Sequence, residues 1–77
     1  MAGKQIAASE IVAAVRAGFQ LTRTRERDDD CEWWAVWAGD AQLDRRWLIR
    51  FVWETFDVAV AAMTITIALR TLDALAE

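Results

Sequence analysis

Five carboxylates crowd one short stretch of the chain: Glu26, Asp28, Asp29, Asp30 and Glu32. Paired carboxylates can trade protons with a substrate, and hard cations take carboxylate oxygens as ligands. This spacing suits neither use. The three aspartates are consecutive, without the alternating ligands and the glycine of a calcium-binding loop. Adjacent acids repel one another and aspartate favours turn backbone, so the run reads first as a solvated turn. Cys31 follows it directly and is the only cysteine. A reactive thiolate needs a neighbouring base or cation, and the chain has no histidine. No glycine-rich loop offers its backbone to a phosphate. Cys31 therefore reads as a small half-buried side chain at a strand start. The chain is expected to be no enzyme and to use no cofactor or metal.

Arginine and tryptophan are the other chemically expressive residues. Arg23, Arg25 and Arg27 alternate along one segment, and Arg45, Arg46 and Arg50 gather in another. With aromatic neighbours, such a pattern can stack bases and track phosphates. The formal net charge of −3 opposes that use, because phosphate backbones reward a basic excess. The simpler reading is an edge strand protected by charge, its arginines paired with the acidic turn. Direct binding of nucleic acid is not expected.

These residues must be positioned by few elements. Gln5 to Ala17 reads as a helix, with Ala8, Ile11, Val12 and Val15 on one face and Gly18 as a left-handed stop. From Phe19 the period changes to two and runs to Arg27, which predicts a strand. Asp28 to Asp30 turn the chain, and Cys31 to Ala38 form a second strand. Trp33, Ala35 and Trp37 share one of its faces; Trp34, Val36 and Ala38 share the other. Gly39-Asp40 supplies the next turn. Arg46 to Trp53 reads as a third strand, since Trp, Ile, Phe and Val favour strands. A helix from Asp44 competes for the same residues, because it would gather Arg46, Arg50, Glu54 and Asp57 into one polar stripe. Phe56 to Ala76 reads as the last helix, capped by Thr55, with Asp57 in its first turn. Val58, Ala62, Ile65, Leu69, Leu72 and Ala76 form one apolar stripe; Val60, Met63 and Ile67 form a second on nearly the opposite side.

The fold class that follows is α+β in the order helix-strand-strand-strand-helix. It is a three-stranded antiparallel meander with two helices packed on one face. Trp33, Trp37, Trp47, Phe51 and Trp53 are its expected aromatic core. Trp34 is left on the exposed face, where a large aromatic side chain marks an interface.

A length of 77 residues allows one domain, 1–77, and one core. A chain this short buries only about 60% of its unfolded surface. Yet 56% of its residues are hydrophobic and five are tryptophan. Part of that surface is expected to meet a second chain, with Val60, Met63 and Ile67 as the contact of a homodimer. Ile6 to Val15 is interrupted by Ser9 and Glu10, unlike the apolar core of a signal peptide. The charge-free stretch Val58 to Leu69 is too short to span a bilayer. A cytoplasmic location with a reduced thiol, away from membranes, is the expectation.

The element order is similar to that of the double-stranded RNA-binding domain. That domain's RNA-binding helix starts with lysines, whereas the last helix here starts Thr55-Phe56-Asp57, so its function is not carried over. In size, acidity and want of catalytic groups the chain resembles small phage-encoded inhibitors of the anti-CRISPR type. That resemblance is one of character and rests on no motif. It implies a protein that blocks nucleic-acid-binding machinery, with a host protein or nucleoprotein complex as partner. Glu26, Asp28, Asp29, Asp30, Glu32 and Trp34 are the residues that would make the contact.

Overall fold

The structure is a computed structural model that describes residues 5–76. Helix α1 spans Ala8–Gly18 and buries Ile11, Val12 and Val15 on one stripe. The Glu10 carboxylate accepts the Ala7 N–H at 2.9 Å, satisfying one free donor at the helix start. Gly18 is the last helical residue and not a left-handed stop. The chain leaves the helix through Phe19 in extended backbone, whose N–H donates to the Val15 carbonyl.

Strands β1 (Leu21–Arg27) and β2 (Glu32–Ala38) pair antiparallel from Leu21 opposite Ala38 to Arg27 opposite Glu32. Asp28 and Cys31 close the hairpin by exchanging backbone hydrogen bonds of 2.8 and 3.3 Å. Cys31 thus belongs to the turn, and β2 begins one residue later. The next connection, Gly39-Asp40, is also two residues long, with Ala38 opposite Ala41. Gly39 has φ +61°, the positive value that a type II′ hairpin requires at its first loop position. Strand β3 is only Ala41–Gln42. The sheet order is β1-β2-β3, so the architecture is the expected α+β one around an antiparallel meander.

The third strand sits earlier than the sequence suggests, and residues 46–53 are helical. Helix α2 spans Arg45–Phe56. Asp44 starts it, its Oδ1 accepting the Trp47 N–H at 2.8 Å. Leu48 and Val52, one turn apart, are fully buried, while Arg46, Arg50 and Glu54 stay in solvent. Burial along one helical stripe outweighs the β-propensity of the individual residues. Thr55 lies inside α2 and caps nothing. Asp57 ends the helix in left-handed backbone (φ 56°), with its N–H donating to the Trp53 carbonyl. The last helix is therefore shorter than Phe56 to Ala76: α3 spans Ala62–Leu75.

Helix α3 is the hub of the helical layer. It packs on α1, α2 and β2 and buries Ile65, Ala68 and Leu72 completely. The sheet meets the helices through Val36, Ala38 and the half-buried Leu21. This is the opposite face of β2 from the one expected to be core. Trp33 is exposed, Trp37 is half-buried on the far side, and Trp53 is 58% exposed. Of the expected aromatic core, Trp47 and Phe51 pack against the buried cluster. Their rings stack 5.2 Å apart, with Phe19 edge-on to Trp47 at 5.6 Å.

Candidate functional site

Along the hairpin, burial stops before the strands do. No residue from Thr22 through Trp34 is buried, although the ladder continues to Arg27 and Glu32. A seven-residue strand is about 24 Å long. The distal hairpin thus runs out beyond the helical layer as an arm, in a molecule measuring 48 × 25 × 18 Å.

The two faces of the arm differ because successive strand residues alternate sides. Arg23, Arg25, Arg27, Glu32 and Trp34 share the face that continues from Val36 and Ala38. There the Trp34 ring lies under two guanidiniums, with Arg23 Cζ 4.6 Å and Arg25 Cζ 5.2 Å from its centroid. Each cation is drawn to the negative face of the indole. Arg25 also donates to Glu32 Oε2 at 3.0 Å, the one ion pair among the described residues. The other face carries Thr22, Thr24, Glu26 and Trp33. Thr24 Oγ1 accepts the Trp37 indole N–H at 2.7 Å.

The arm ends in Asp28, Asp29 and Asp30, all exposed. Asp28 Oδ1 accepts the Asp29 N–H at 2.8 Å and so braces the turn. Among the described residues, no group of three His, Cys, Asp or Glu is placed to hold a metal ion. The tip presents closely spaced negative charge on a hydrogen-bonded scaffold. Such a charge cluster can attract a cationic surface.

The sequence-predicted contact residues thus lie on one arm without forming one surface. Asp28 to Asp30 form the tip; Glu32 and Trp34 lie behind it on one face and Glu26 on the other. Trp34 is 47% exposed.

The expected oligomer stripe is altered. Val60 is not on α3; it sits in the connector and packs against the core. Met63 and Ile67 are exposed, one turn apart on α3. Sequence reasoning missed a second exposed pair, Ile49 and Trp53 on α2, which edges a small hollow shared with Val58 and Val60. The helical reading from Asp44 carried the signal, since it places Ile49 and Trp53 at i,i+4. Among the described residues, no helix is long and apolar enough to cross a membrane. No family model, curated protein or solved structure matches the chain.

Proposed function

We propose that this is a non-catalytic protein-binding module and that the hairpin arm is its contact. The observation that carries the reading is the arm itself: an ordered ladder without a buried residue from Thr22 to Trp34. A chain of this size cannot devote so much ordered backbone to stability, because the segment contributes little apolar burial. Three carboxylates at the end of such an arm suit a basic groove of the kind that holds nucleic acid. Occupying that groove would block it, in the manner of the cytoplasmic phage-encoded inhibitors that the chain resembles in size and acidity.

The test is a tagged pull-down from nuclease-treated bacterial lysate, run beside an Asp28→Lys/Asp29→Lys/Asp30→Lys variant. The reading expects one stoichiometric protein that the variant loses while its circular dichroism is unchanged. Equal capture by both proteins would remove the acidic tip from the mechanism.

A second reading is self-association through the helical layer. It is favoured by the exposed pairs Ile49/Trp53 and Met63/Ile67. It expects concentration-dependent sedimentation that Trp53→Glu abolishes. A strictly monomeric wild-type chain would end it.

A further inference from the structure

The two edges of the sheet are unequally protected. In an antiparallel pair, residues alternate between pointing their N–H and C=O at the partner and pointing them away. Asp28 and Cys31 exchange both bonds. Counting from that pair, Trp33, Ala35 and Trp37 face β1, and Glu32, Trp34 and Val36 face the other side. The 2.7 Å bond from the Leu43 N–H to the Val36 carbonyl confirms the phase. Because β3 is only Ala41–Gln42, the N–H and C=O of Glu32 and Trp34 have no strand partner among the described residues. On the outer edge of β1, Arg23, Arg25 and Arg27 guard against strand addition. The open half of β2 carries one charge, Glu32, which is tied to Arg25, and flanks a groove lined by Trp34, Leu43, Leu69, Leu72 and Asp73.

We infer that this groove accepts an extended peptide that adds as a strand to β2, carrying an apolar residue toward the half-buried Leu69 and a lysine or arginine toward Asp73. The backbone supplies the hydrogen bonds, and the alternating side chains supply the selectivity. The charge follows from Asp73, which is half-buried in the groove and has neither an ion pair nor a side-chain hydrogen bond among the described residues. Glu32, beside the same edge, is already engaged by Arg25. A second copy of the chain fits less well, since pairing β2 with β2 would bring Glu32 and Asp73 of both copies to one seam. The inference rests on the arm being the contact and names the part of a partner that it takes.

The probe is a fluorescein-labelled peptide, Thr-Lys-Thr-Val-Thr-Lys-Thr, whose valine and lysines share one strand face, titrated into the full chain at about 0.15 M salt, where long-range charge effects are screened. Anisotropy should report binding, with slowed hydrogen exchange at the Trp34 amide. Glutamate in place of lysine in the peptide should abolish it, and Asp73→Asn should weaken it about threefold. Trp34→Pro deletes an outward N–H while sparing the β1 ladder, and should weaken binding about tenfold relative to Trp34→Val. If Trp34→Pro does not fold, two peptides N-methylated on the odd and on the even residues give the same comparison on the wild-type chain, since only one set of N–H groups faces β2. No binding at about 1 mM peptide, or binding of both methylated peptides equal to that of the parent, would overturn the inference. So would a dimer in which the Trp34 amide is protected without peptide. The Asp28–Asp30 lysine variant should still bind the peptide, so the edge and the acidic tip can fail separately.

Discussion

The helical layer and the hairpin arm are built from the same chain by different means. In the layer, Ile11, Val15, Leu48, Val52, Ile65 and Leu72 are all but inaccessible to solvent. Their order comes from apolar burial, at roughly 25 cal/mol per Å² removed from water. In the arm, order comes from the backbone ladder and a few side-chain contacts: Trp37 on Thr24, two guanidiniums on Trp34, and Arg25 on Glu32. Each such contact is worth little in solvent. The contrast teaches where the sequence is free. The layer constrains side-chain volume, whereas the arm constrains mainly backbone pairing and leaves its charges available for recognition.

Substitutions should separate the two regions by size of effect. The largest is Ile65→Ala, which opens a cavity where α3 meets the core. It should cost about 3 kcal/mol, read as a fall in the urea midpoint. A loss as small as an arm substitution gives would break the comparison. Asp44→Ala removes the cap of α2 and should cost about 1 kcal/mol, with a matching loss of helical circular dichroism. Thr24→Val leaves the Trp37 indole N–H without its acceptor and should cost about 0.5 kcal/mol, since that indole is only half-buried. Its indole proton should shift in a nitrogen–proton correlation spectrum while the layer's signals hold still. Glu32→Ala should be smallest, below about 0.5 kcal/mol, because both partners of its ion pair are about half exposed. A loss of several kcal/mol there would mean that the arm is structural.

Much of this fold is legible in the sequence, and the failures share a cause. The period-two segments and the consecutive aspartates announce the hairpin, and the alanine-rich start announces α1. Arg46 to Trp53 misleads because Trp, Ile, Phe and Val favour strands one by one, while the outcome depends on Leu48 and Val52 reaching the core together from one helix face. The faces of β2 mislead for a related reason. Side-chain bulk suggests burial, but close helix packing selects the small Val36 and Ala38 and leaves Trp33 outside. Of the contact residues, the acidic tip is legible because adjacent like charges have few places in a fold. The open β2 edge is not legible, because it depends on β3 ending after two residues.

The packing of α1 against α3 also governs how the chain reaches this structure. Ile11 and Val15 must wait for Ile65 and Leu72, with every other element lying between them in sequence. Closing a long loop is entropically costly before any contact rewards it, and such closures slow folding. Hairpins form within microseconds. Once β1 and β2 zip, Leu21 lies beside Ala38 and the intervening residues no longer count toward the loop. The arm that adds least to the finished molecule thus becomes its kinetic shortcut, and loosening it should slow refolding more than it speeds unfolding.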